Sequence, residues 1–424
     1  MHEASRISPH ILRGLQLKDL GRYADAEKAF KEALSQEPND VFALHQLAAC
    51  QFHQSNRLKE ALATIDSAIA IEPNLAEHRI LRSFILSSLE RPKEALEAAQ
   101  MAIGFDPHHS GAFTAAAQAH LHLENWKLAE QSAREALALD ADNPMAANQL
   151  AQALRLQNKL DEIGAHLAGM LARDPEDPYT HANAGWSALQ RGDRRTAESH
   201  FREALRLNPG FESAREGLLA SFRARSPLYR AYLHYCFAMQ RLRTRSRWAV
   251  VLGIFCAVQL SAWLPDYIAL PIIALYLLFI LWVWMAKPIG NILLLTDSFA
   301  RYALRGYEKV EALVVTGVVS IGIGTLVWGV ILESSFLANL GVASIVAGFP
   351  LSMTFSNGSK RGRRIFAGIG GFAVLSVLLA IAAAFVGLKA LEAMMVVVRI
   401  ASIACVVSTW LGNLPSLRRP VEMA

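Results

Sequence analysis

Ala33-Leu34-Ser35-Gln36-Glu37-Pro38 is the first member of a series. It returns as Ala68-Ile69-Ala70-Ile71-Glu72-Pro73, as Ala136-Leu137-Ala138-Leu139-Asp140-Ala141 and as Ala204-Leu205-Arg206-Leu207-Asn208-Pro209. The terminal slot falls at Pro38, Pro73, Pro107, Ala141, Pro175 and Pro209, in steps of 35, 34, 34, 34 and 34 residues. Seven residues before the alanine of each phrase stands another small residue: Ala26, Ala61, Ala95, Ala129 and Ala197, with Ile163 as the exception. Positions seven apart return to one face of a helix, and small side chains there let two helices approach closely. Phe30 and Phe201 supply bulk between them. A proline just past a helix cannot continue it, so each unit restarts. A fixed period of this length describes stacked helical units, each burying its apolar face against its neighbours.

The spacing, the paired alanines and the terminal proline resemble the tetratricopeptide repeat family over about residues 9–210. Gly14 and Gly185 fall at the close-contact site of the first helix of their repeats, and Gly21 and Gly192 in the turn between helices. The usual tryptophan of the first helix is absent throughout. The resemblance implies an all-α, right-handed α-solenoid of about six repeats over residues 7–226, closed by a capping helix over 211–223. It also implies a concave surface lined by the first helices, where family members commonly bind peptides or protein segments. Carried over position by position, that surface holds Phe52, Phe84, Gln118, Asn148, Gln152, Arg155, Tyr179, Asn183 and Trp186, with His45, His53 and His122 beside them. The amides and Arg155 suit a peptide backbone or a carboxylate, and Tyr179 and Trp186 suit aromatic anchoring.

The chain changes character after the array. Up to Ser226 there are 25 Lys and Arg against 30 Asp and Glu; from Pro227 on there are 17 against 7. Six apolar stretches follow, at 248–264, 267–286, 312–332, 336–355, 365–388 and 390–411. Most approach the ~20 residues needed to cross a bilayer core. The expected second half is therefore a basic linker over 227–247, a six-helix transmembrane bundle over 248–412 and a cytoplasmic tail over 413–424. Every second connection is basic, as in Lys360, Arg361, Arg363 and Arg364, whereas the alternate ones hold Asp266, Glu333, and Lys389 with Glu392. With six spans, the positive-inside rule puts both termini and the repeats in the cytoplasm, in the inner membrane of a bacterium. No apolar core follows a basic patch at the start, so a cleaved signal peptide is not expected. Residues 289–307 read as an amphipathic helix lying in the inner interface, or as a connector buried under the repeats. Pairs such as Ser344 and Gly348 mark close helix contacts. Arg399 is the one charge well inside a span, either a functional group or a side chain snorkelling to the interface.

Catalytic signatures do not emerge. No phosphate loop, H-E-x-x-H, G-x-S-x-G or dinucleotide fingerprint is present. The four cysteines, Cys50, Cys236, Cys256 and Cys405, form no metal-binding or disulfide pattern. His120 and His122 are two apart and diverge on a helix, so no metal or other cofactor is expected. The basic residues sit beside apolar runs, which points away from nucleic acid and towards anionic inner-leaflet lipids. The expected function is a membrane-anchored interaction scaffold or adaptor, not an enzyme, with a protein or peptide in its groove and the bilayer or another membrane protein beside its bundle. The alternative is a transporter or channel with a cytoplasmic regulatory array.

Overall fold

The computed structural model describes residues 8–54, 56–261, 263–297, 300–411 and 417, and among them there is no β-strand. Six helix pairs come first: α1 Pro9–Asp19 with α2 Tyr23–Gln36, α3 Val41–Phe52 with α4 Leu58–Ile71, α5 Ala76–Ser88 with α6 Pro92–Phe105, α7 Ser110–His122 with α8 Trp126–Leu139, α9 Pro144–Leu156 with α10 Leu160–Arg173, and α11 Pro178–Gln190 with α12 Arg194–Leu207. A cap helix α13, Glu212–Arg223, follows. Then come α14 Pro227–Arg241, α15 Thr244–Ser261, α16 Asp266–Leu295, α17 Gly306–Ile331, α18 Ser335–Phe355, α19 Lys360–Val386 and α20 Leu388–Leu411.

The repeat's small residues are its core. Ala26, Ala61, Ala95, Ala197 and Ala204 are fully buried, as are Phe30, Ile163 and Phe201. At Gly14 a Cβ would stand 2.7 Å from Phe30 Cε1, so the glycine is what lets the ring in. Gly217 of the cap helix serves Phe201 in the same way, a use of glycine that the repeat pattern did not single out. The turn inside five of the six pairs reverses through one left-handed residue, and these recur with the period: Gly21, Glu90, Glu124, Asn158 and Gly192, with φ between 58° and 84°. Only Gly21 and Gly192 meet that demand without a Cβ penalty.

The chain divides into two compact units, residues Met1–Ser187 with Gln240–Arg245, and Ala188–Met239 with Ser246–Ala424. In this division α12, the cap helix and most of α14 group with the apolar half. The stretch expected to be a basic linker is largely the helix α14, and its end is held in the first unit. There Arg241 Nη2 donates to Asn158 Oδ1 at 2.6 Å, Arg243 donates to Asn125 Oδ1, and Trp126 Nε1 donates to the Arg241 carbonyl at 3.3 Å.

Among the described residues five helices, not six, are long and apolar enough to cross a membrane: Tyr267–Leu295, Gly306–Ile331, Ser335–Phe355, Lys360–Val386 and Lys389–Ser408. The first expected span, 248–264, is the shorter helix Ser246–Ser261. At 1.5 Å per residue such a helix falls short of the ~30 Å core, and Pro265 begins the next element. An odd number of spans removes the basis for placing both termini on one side. The expected interfacial helix over 289–307 is not a separate element either. Its first part is the end of α16, followed by a short 3-10 turn, Ala300–Tyr302, and then α17; residues 298–299 lie outside the described residues. Of its polar residues Asn291 is fully buried and accepts a hydrogen bond from Arg223 Nε at 2.8 Å, whereas Arg301 is exposed.

Within the bundle some small residues mark close helix contacts, whereas Gly324 and Gly371 face open space. Gly329 and Gly341 leave no room for a side chain against the backbone of the facing helix. Leu340, Ala343, Ala380 and Val398 pack together, and so do Ala347, Ala373, Ala401 and Cys405.

Candidate peptide-binding groove

The polar residues expected on the first helices are drawn into contacts between neighbouring repeats. Asp177 ends the loop before α11, accepts from the Thr180 N–H at 3.1 Å and from Thr180 Oγ1 at 2.5 Å, and also receives Asn148 Nδ2 at 3.1 Å. Asn148 Nδ2 also donates to the Pro144 carbonyl at 3.0 Å, and Asn148 Oδ1 accepts from Asn183 Nδ2 at 2.8 Å. Burial opposes the charge on Asp177, but these donors outweigh it and hold the carboxyl below its ordinary range. One repeat earlier, Gln118 Oε1 accepts from Gln149 Nε2 at 3.0 Å, and its own amide lies 2.8 Å from His122 Nε2. Asn148, Asn183 and Gln118 thus form lateral rungs that fix the angle between successive first helices.

The remaining candidates differ in access. Gln152 is exposed and Tyr179 is 55% exposed, whereas Phe52, Phe84 and Trp186 are half-buried. Phe84 packs on the cluster of Ile80, Ala99 and Ala115, and Phe52 on that of Ala48, Ile65 and Ile85. Next to Phe52, the ring of His53 stacks on Tyr23 at 4.4 Å. Arg155 is half-buried, and desolvation lowers its pKa to about 10. The sequence reading missed two participants. Asp177 was legible as a helix-capping residue, since it directly precedes the proline that opens α11. His78 was not: it is 2% exposed, and its Nδ1 lies 3.0 Å from Nδ1 of His45, so one ring donates and the other accepts. Burial and the neighbouring ring push the pKa of His45 down to about 4, and burial also lowers that of His78.

A second polar centre lies inside the other unit, where the cap helix meets the apolar helices. Arg215 Nη1 donates to Glu308 Oε2 at 3.1 Å and to the Ala303 carbonyl at 3.2 Å, while Nη2 donates to Glu212 at 2.6 Å and to Glu216 at 2.9 Å. Arg305 pairs with Glu212, and Arg225 with Asp297 at 2.5 Å. Arg223 is 2% exposed, with Glu216 at 3.9 Å. Glu311, 4% exposed, accepts from Ser352 Oγ at 2.5 Å. Arg399 is exposed on α20 and has no ion pair among the described residues. No group of three or more metal-ligating side chains occurs among the described residues.

Helix pairs of this length, with buried alanines at a fixed period and left-handed turns at the same interval, are tetratricopeptide repeats. The family model described as "Tetratricopeptide repeat" matches residues 17–83. The chain is 28% identical over 180 residues to a DnaJ homolog subfamily C member 7 homolog of Schizosaccharomyces pombe, covering 38% of this chain and 37% of that one. It is 24% identical over 209 residues to the protein O-mannosyl-transferase TMTC1 of Homo sapiens, covering 48% of this chain and 24% of that one. This chain therefore spans about a third of the length of the first relative and a quarter of the second. Among solved structures it is similar to YrrB, described as a TPR protein with an unusual peptide-binding site, at 23% identity and a TM-score of 0.33, covering 44% of this chain and 96% of that one.

Proposed function

We propose that the chain is a membrane-anchored adaptor whose repeats take an uncharged stretch of a protein or peptide. The carrying observation is where the charge lies. α3, α7 and α11 contain no Asp, Glu, Lys or Arg, and α9 contains only Arg155. Among the first helices from α3 on, α5 is the exception, with Glu77, Arg79 and Arg82. Each second helix carries at least three charged residues, many paired with one another, such as Glu130 with Arg134 and Lys159. A groove so poor in charge gives a charged partner little to offset its desolvation. Gln152, Tyr179 and Trp186, with Phe52 and Phe84 further along, are the contacts it offers.

The apolar half serves as the anchor in this reading. Its interior is filled with small and apolar side chains, and its buried acids, Glu308 and Glu311, stand within two turns of the start of α17. That supports anchoring over a transporter or channel. The cap helix packs at the basic end of the helices, which by the positive-inside rule supports a cytoplasmic array, in a bacterium at its inner membrane. No residue is assigned a catalytic role.

Selection of displayed peptides against the full-length chain tests the proposal. Enriched sequences are expected to be uncharged, to lose roughly tenfold or more in affinity with Tyr179→Ala plus Trp186→Ala, and to bind almost equally at low and high salt. Enrichment of charged peptides, or binding indifferent to both changes, overturns it. Substrate flux into liposomes that vanishes in Arg399→Leu would favour the transporter instead.

A further inference from the structure

The second unit holds one dense cluster of cations without carboxylate partners among the described residues. Arg215, Arg225 and Arg305 each meet a carboxylate. Lys360, Arg361, Arg363 and Arg364, at the start of α19, do not: all four are exposed, and none has an acid within ion-pair distance among the described residues. Their position makes this costly. They occupy the first turns of a 27-residue helix, where the aligned peptide dipoles present positive charge and disfavour cations. Four exposed cations against that dipole favour a negative partner.

The segment is also held in place. Asn357, 1% exposed, accepts from the Ser359 N–H at 3.0 Å and donates to the Leu417 carbonyl at 2.7 Å. The Ser359 hydroxyl caps the helix by accepting from the Gly362 N–H at 3.2 Å. Gly362 is buried against the Leu417 carbonyl, where any side chain would collide. The four cations are thus displayed around a fixed glycine at the start of a long apolar helix. The opposite ends of the same helices carry Asp266, Glu333, Lys389 and Glu392 instead.

We propose that Lys360, Arg361, Arg363 and Arg364 form a site for the phosphate groups of anionic phospholipids. The proposal rests on α16 to α20 being membrane-spanning. Phosphate oxygens meet the unpaired guanidinium and ammonium donors and offset the helix dipole, while the acyl chains lie along the apolar remainder of α19.

Native mass spectrometry of the full chain in detergent, with phosphatidylglycerol or phosphatidylcholine added, tests it. The wild type is expected to retain phosphatidylglycerol at least about fivefold over phosphatidylcholine, the contribution of a single cation near an anionic surface. K360Q/R361Q/R363Q/R364Q is expected to lose that preference at unchanged helicity, and R361K/R363K/R364K to keep most of it. Equal retention by the wild type, or an unchanged preference in the glutamine variant, overturns the site. Displacement of the lipid by millimolar inorganic phosphate would show a free-anion site and overturn the headgroup assignment. Extraction of the chain from cell membranes by alkaline carbonate would instead overturn the membrane-spanning reading on which the site depends.

Discussion

Glu308, 1% exposed in the first turn of α17, accepts from Arg215 of the cap helix at 3.1 Å and from the Arg305 N–H at 2.7 Å. Both cap helix and apolar helix are therefore closed by one carboxylate. The Arg215 side chain is 14% exposed, and its three acidic partners outweigh burial and raise its pKa.

Removing one member of this pair should leave the other buried and unmatched. Glu308→Gln, or Arg215→Met, is expected to destabilise the chain by about 3 kcal/mol. The double change to leucines should recover most of that loss, because a well-packed apolar pair needs no desolvation of charge. Thermal unfolding in detergent reads both. A single variant indistinguishable from the wild type would mean that the pair anchors nothing.

The His45 and His78 pair makes the array acid-sensitive. In the folded chain His45 titrates near 4, below the ordinary histidine value, so the folded state binds fewer protons than the unfolded one between about pH 6.5 and 4. Stability from this pair is present above the unfolded value and is lost as pH falls through that window. The loss attributable to His45 is on the order of 3 kcal/mol at most. Chemical denaturation at pH 7.5 and pH 4.5 should show it, and His45→Gln should reduce the difference. Equal pH dependence in wild type and variant would assign the effect elsewhere. Lys18, Glu72 and Glu77 also act on the pair and set its background.

Glu90 and Glu124 hold φ of 59° and 58° in turns where Gly21 and Gly192 stand elsewhere in the array. Glu90→Gly and Glu124→Gly are each expected to stabilise by about 1 kcal/mol, and Gly21→Ala to destabilise by a similar amount. Denaturant midpoints give the sign. A loss on Glu→Gly would mean that the glutamate side chains contribute more than their backbone costs.

The repeat was fully legible because its code is local. Alanines seven apart and a stop at the 34-residue interval are written in consecutive residues, and the structure buries them as that code requires. The capping role of Asp177 was legible for the same reason. Asn148 and Asn183 looked like ligand-binding amides because sequence shows which helix they sit on but not what stands opposite. The rung they form joins residues 35 apart, and it depends on the stagger of adjacent helices. The membrane half was less legible. Ser246–Ser261 has the composition of a span but not its length, and of the two readings of 289–307, an interfacial helix or a buried connector, the sequence could not choose, whereas Arg223 covers Asn291. Nothing near Asn291 in the chain announces a partner 68 residues away.

The grouping of α12 and the cap helix with the apolar helices has a consequence for how such a protein can change. The Arg215 and Glu308 keystone lies wholly within the second unit, so whole 34-residue units can be gained or lost before Ala188, lengthening or shortening the array, without touching it.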